Sequence, residues 1–239
     1  MVTPRLDRTL YGTKYGSVCE VSSAARAPRN TLTRDRVVAA AVRLADREGL
    51  AALTIRALAG ECGVKPMAIY HHIANKDAIL DAIVDAVYAE IHPPRPDGDW
   101  REELATRTRS MREALRRHPW ALATLEGRSN PGPQALGGHE ACLEVLRSAG
   151  FSLQATAHAY AILDAFVYGF SLQESMLAQV DLDDSAAELI EGIDLSGFPR
   201  MAEFATQHVL LEGYAFANSF EVGLELTLDS LERLRAEGP

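Results

Sequence analysis

The chain has 239 residues, is 47% hydrophobic and 24% charged, and carries a formal net charge of −9, the composition of an ordinary globular protein. No apolar run approaches the ~20 residues needed to cross a bilayer, and the first thirty residues lack the apolar stretch and cleavage site of a secretory signal. Cys19, Cys62 and Cys142 are odd in number and far apart, which excludes a disulfide framework or a Cys-rich metal site and makes a reducing cytoplasm the expected location.

Residues 1–30 mix Thr, Ser, Gly, Pro and Arg without an apolar period, so a flexible basic arm is expected. Thr33 is placed to cap a first helix whose Val37, Val38, Ala41, Leu44 and Ala45 recur at helical spacing, with Gly49 as its stop. Thr54 caps a short second helix with Ile55, Leu58 and Ala59 inward, and Gly63 takes the following turn. A third helix is predicted from about Lys65 to His72, with Pro66 tolerated in its first turn. Asn75 then caps a long fourth helix, "KDAILDAIVDAVYAEI".

"HPPRPDGD" at 92–99 breaks the chain. Helices are predicted again over Trp100–His118, over a short segment from Pro119 to about Glu126, and from after Pro131-Gly132 to near Gly150. Ser152 to about Ala178 is long and apolar, and 179–197 reads as a loose acidic connection. Helices from Phe198 to about Leu211 and from about Phe216 to Ala236 close the chain, and no segment alternates as a strand does. The fold class is therefore all-α.

Charge is unevenly placed. Residues 1–80 hold twelve Lys/Arg against seven Asp/Glu, a net of +5, while the remainder holds twelve against 26, a net of −14. A basic end on an acidic body points to one end that meets a polyanion. Within that end, residues 54–72 have the parts of a helix-turn-helix: small Ala59 where two helices approach, Gly63 in the turn, and Ile69 turned inward. Lys65, Pro66, Met67, Ala68, Tyr70, His71, His72 and Lys76 are left as an exposed helix and its exit, suited to a DNA major groove. Arg56 is placed for a backbone contact. Adjacent histidines on a helix point about 100° apart, and no third ligand lies near His71 and His72, so DNA contact is preferred there over metal binding.

The phrases "AAVRLADREGLAALTIRALAGECGV" and "AIYHHIANKDAILDAI" resemble the DNA-binding domain of the TetR family of bacterial transcriptional repressors. "DGDWREELATRTRSMREALRRHP" and "LRSAGFSLQATAHAYAILDAFVYGF" are similar to the regulatory domain of the tetracycline-repressor type within that family. The resemblance implies an N-terminal three-helix helix-turn-helix DNA-binding domain (31–76) and a larger C-terminal helical ligand-binding and dimerisation domain (77–239), with 77–91 as connecting helix. It implies a homodimer on a palindromic double-stranded DNA operator, with no membrane partner and no enzymatic activity. Tyr70, His72 and Lys76 are then expected on the phosphate backbone, and Lys65, Pro66, Met67, Ala68 and His71 toward the bases.

A small-molecule effector is expected among Trp120, Leu125, His139, Leu143, His158, Ile162, Phe166, Phe170 and Met176, since apolar walls with a few polar groups suit such pockets. His158, Tyr160, Asp164 and Tyr168 stand out as polar groups within one apolar helix. The resemblance implies a drug-and-magnesium site with a histidine in the sixth helix, but "WALATLEGRSNPGP" has none, and Leu125 or a neighbour takes that place. The expected effector is therefore apolar or aromatic, with no metal and no cofactor. An activator, or a DNA binder without a ligand, is the alternative. An enzyme is disfavoured, because Gly137-Gly138 is no phosphate loop and no Gly-x-Ser-x-Gly occurs.

Overall fold

Thr33 accepts a hydrogen bond from the Arg36 N–H at 3.2 Å and starts α1 (Arg34–Glu48), which ends at Gly49 with φ 80°. Thr54 does the same for the Ala57 N–H at 3.1 Å and starts α2 (Ile55–Cys62). Gly63 closes α2 in the left-handed conformation (φ 68°), where a side chain would be strained. Next come α3 (Pro66–Tyr70), with Pro66 in its first turn, and α4 (Lys76–Tyr88), capped by Asn75 on the Ala78 N–H at 2.8 Å. The computed structural model describes residues 32–125, 131–178, 193–211 and 213–236. The predicted basic arm at 1–30 and residues 179–192 of the acidic connection predicted at 179–197 lie outside these.

The remaining helices are α5 (Trp100–Arg117), α6 (Pro133–Ser148), α7 (Leu153–Ala178), α8 (Pro199–Phe204) and α9 (Ser219–Ala236). No strand occurs among the described residues. The described residues from Leu32 onward form one compact unit with a continuous apolar core. At one end α1 packs on α2 and α4, and α2 on α3; in the body α7 packs on α5, α6 and α9, and α4 on α6.

Two segments differ from expectation. Pro119–Ala123 is a 3₁₀ turn rather than a short α-helix. Its neighbours explain this: Trp120 Nε1–H donates to Asp46 of α1 at 2.7 Å, and this pulls the chain across the bundle. The segment expected as one helix from Phe198 to about Leu211 is α8 followed by a π turn at Ala205–Val209. At the junction the Thr206 hydroxyl donates back to the Ala202 carbonyl at 2.7 Å, a bond that loosens helical geometry.

Candidate nucleic-acid interface and effector chamber

α3 has five residues, too short to be stable alone. It is held by Ile69, fully buried, and by Ile73 just beyond it. The opposite side is open: Lys65, Pro66, Met67, Tyr70, His71 and Lys76 are exposed, as is Arg56 on α2, while Ala68 and His72 are half-buried. Met67, the apolar residue of this face, is 69% exposed. The helix-turn-helix thus presents one continuous face of three basic residues, two histidines, a tyrosine and a methionine. Asn75 and Lys76 carry this face directly into α4.

In the body, α5, α6 and α7 surround a small cavity of about 10 Å³, about what a single water needs. Arg107, Met111, Cys142, Tyr160, Asp164 and Val167 are among its walls. Arg107 is a buried cation, 5% exposed, on the same stripe of α5 as Leu104, Met111 and Ala114. It faces Gly138 of α6, where a Cβ would stand 3.3 Å from Arg107 Nη1. Burial, then the nearby Asp164 carboxylate, pushes the Tyr160 phenol far above its ordinary range. Burial also raises the Cys142 thiol, to about 11. Both groups stay protonated, so the chamber offers hydrogen-bond donors and ring surfaces but no thiolate nucleophile.

The residues expected to hold an effector do not gather there. Trp120 is buried against α1, and Leu125 is buried at the end of the 3₁₀ turn. His139 stands edge-on to both Tyr88 and Tyr160, with ring centroids 5.6 Å apart in each case. It is the one expected residue adjoining the chamber through Tyr160. Phe166 and Phe170 join Phe220 in an aromatic cluster with Arg112 over the rings of Phe170 and Phe220. Leu143 is exposed, and so are His158, Ile162 and Met176, which share an outward stripe of α7. The sequence reading missed Arg107, whose signal was a charge inside an apolar stripe.

α4 touches two of the helices that wall the chamber, α6 and α7. The Asp85 carboxylate accepts from the Gln134 and Ala135 N–H groups at 2.9 and 3.1 Å and so caps α6 from another helix. Gly132, at the α6 start, is required by this contact, because a Cβ would come within 2.1 Å of Asp85 Cγ. One turn further on, Tyr88 Oη lies 3.4 Å from Tyr168 Oη, beside the Tyr88–His139 contact. Among the described residues no group of three or more His, Cys, Asp or Glu converges to hold a metal ion, and no helix is long and apolar enough to cross a membrane.

A helix-turn-helix whose exposed second helix is flanked by Lys65 and Lys76, joined through α4 to a larger helical body, defines a DNA-binding transcriptional regulator. Comparison with known proteins agrees. Residues 37–83 match the family model described as bacterial regulatory proteins, tetR family, and residues 92–235 match tetracyclin repressor-like, C-terminal domain. The HTH-type transcriptional repressor DrrR1 of Streptomyces coeruleorubidus is 34% identical over 89% of this chain and 82% of its own length. The class A tetracycline repressor from transposon 1721, from Escherichia coli, is 33% identical over 87% and 96%. Apo ActR from Streptomyces coelicolor superposes with a TM-score of 0.71 at 31% identity, covering 89% of this chain and 99% of ActR, and ActR has also been solved with actinorhodin. The chain belongs to the TetR family of bacterial regulatory proteins.

Proposed function

We propose that this protein is a ligand-responsive transcriptional repressor, a homodimer that leaves a palindromic operator when an apolar or aromatic effector enters the α5–α7 chamber. Residues 31–76 form the DNA-binding domain, 77–239 the effector and dimerisation domain, and 77–91 the connection. The observation that carries this reading is α4 itself. It begins at Lys76, beside the reading helix, and its far end is pinned to α6 by Asp85 and to α6 and α7 by Tyr88.

The chamber holds about one water as it stands, so an effector enters only if α6 or α7 shifts. A shift of α6 drags Asp85, and one of α7 moves Tyr168 against Tyr88. Either swings α4 and the reading helix with it. Two copies must place their α3 helices about one DNA turn, ~34 Å, apart, so a few ångström of swing lowers affinity. The protonated Tyr160 and the buried Arg107 in the chamber wall favour an aromatic effector bearing hydroxyl or carbonyl groups. Residues 120–133 hold no histidine, where the resemblance would need one for a metal-borne drug, which supports a site without metal.

The operator can be recovered by selecting bound sequences from random duplexes, and its release then screened against aromatic compounds. Tyr70→Ala and Lys76→Ala are expected to weaken operator binding, the Lys76 change lowering the salt slope by about one unit, without altering dimerisation. Unchanged retention across a salt titration would displace the DNA surface from α3.

A further inference from the structure

Arg107 inverts the pattern of its helix. The other arginines of α5, Arg101, Arg109, Arg112, Arg116 and Arg117, are exposed or half-buried, and each has a carboxylate at 2.5–3.5 Å. Arg107 is 5% exposed, and among the described residues no carboxylate lies within 4.0 Å of it. Arginine is almost never fully buried without a partner, because a charge taken out of water and left uncompensated is costly. The neighbouring Cys142 thiol is neutral, since burial keeps it protonated. Thr108, in the same wall, donates its hydroxyl to the Leu104 carbonyl at 2.7 Å and has no proton left to give. We infer that the effector carries a carboxylate that pairs with Arg107 inside the chamber, which makes its chemical class an aromatic acid.

The shape of the guanidinium selects the partner. Its forked N–H groups match the two oxygens of a carboxylate, and such a pair supplies both hydrogen bonds and charge. A neutral carbonyl accepts one of those bonds and leaves the charge unmet. Gly138 keeps the space open on the α6 side, because a Cβ there would stand 3.3 Å from Arg107 Nη1. A glycine inside a helix costs stability relative to alanine, so the room it leaves for the guanidinium is bought at the expense of α6.

Asp164 is the acid in the same walls. It is half-buried and acts on the Tyr160 phenol, outside ion-pair distance of Arg107. It therefore supplies an acceptor for a hydroxyl of the same effector, and a hydroxylated aromatic acid meets both groups at once. The inference rests on the α5–α7 chamber being the effector site, as proposed above, but not on what the protein does to DNA.

The test uses the full-length chain without DNA, so a failure of the repressor reading leaves its outcome intact. Salicylate, hydroxynaphthoate and hydroxyanthraquinone carboxylate are titrated calorimetrically, each beside its methyl ester, which keeps the ring and the hydroxyl and removes only the charge. At least one acid is expected to bind about tenfold or more tightly than its ester, the least that a hydrogen bond to a charged group contributes. Arg107→Met should bring that acid down to the affinity of its ester while leaving the ester unchanged. Gly138→Ala, which keeps the charge and favours the helix, should weaken the acid severalfold and the ester not at all. A structural Arg107 would weaken acid and ester together. The proposal is overturned if no acid binds, if an acid and its ester bind alike, or if the preference for the acid survives in Arg107→Met. The comparison of acid with ester in the unaltered protein needs no variant to fold.

Discussion

Glu103, on the first turn of α5, accepts hydrogen bonds from the Arg95 backbone N–H at 3.0 Å and from its Nε and Nη2 at 2.8 and 2.6 Å, and His92 Nε2 lies 3.0 Å away. The Arg95 guanidinium first, and then His92, hold this carboxyl at about 2, well below the ordinary range. A carboxylate depressed in the folded state stabilises it above the unfolded-state value, about 4.3, and that contribution is lost as pH falls from there toward about 2. Glu103→Gln should therefore lower the Tm at pH 7, and the difference from wild type should vanish in thermal melts near pH 2. A constant difference across that range would show that shape rather than charge holds the 92–99 loop. Asp85 offers a second test. Asp85→Ala removes a cap worth about 0.5–2 kcal/mol, and Gly132→Ala should cost a similar amount by pushing the same carboxylate aside. Denaturant titration of the double variant should show less than the sum, because both changes break one contact. Neither Glu103 nor Asp85 was legible in the sequence. Their partners are distant in the chain or lie in a loop whose path no periodicity encodes. Thr33, Thr54, Asn75 and Gly63 were legible, because a cap bonds within three residues of itself.

At the scale of elements, local signals decided the DNA-reading end and tertiary contacts decided the rest. α1, α2 and α4 each carry an apolar stripe that starts at a capping Thr or Asn, and the structure draws the limits of α1 to α4 close to where the spacing predicts them. α3 was read through to His72 but ends at Tyr70, since a five-residue helix stops where its single buried anchor stops. Ile69→Ala should then cost about 2–5 kcal/mol, the range for a fully buried isoleucine. It should also loosen the 66–76 segment in hydrogen exchange before the body of the protein opens. If 66–76 kept its protection, α3 would be fixed by something other than Ile69. α7 was recognised as long and apolar, but its faces could not be sorted, because a helix with apolar residues all round has no stripe to read. That is why His158, Ile162 and Met176 were expected around an effector, whereas the cavity lies on the side of Tyr160, Leu163, Asp164 and Val167.

For the whole molecule the outward face of α7 matters most. His158, Ile162, Ala165, Gly169, Leu172 and Met176 follow one another at three- and four-residue steps along a single stripe, with Leu172 and Met176 51% and 60% exposed. On α9, Val222 and Leu226 stand one turn apart at 62% and 63% exposure. Gly169 has nothing within 4 Å of where a Cβ would be, so a second helix can approach closely at the middle of the stripe. Helices α7 and α9 pack on each other, and pairing them with the same two helices of a second copy gives a four-helix bundle that removes both apolar stripes from water. Leu226→Glu should convert the dimer to monomer in sedimentation equilibrium while leaving helical content unchanged, because this side chain is 63% exposed in its own chain. Operator affinity should fall by at least ~100-fold, since the second half-site is then no longer held at the effective concentration the dimer provides. Binding of one half-site by the monomer should persist at low salt, because the α3 face is untouched. A variant that stays dimeric would mean that another surface joins the copies, and the spacing of the two reading helices would have to be derived from that surface instead.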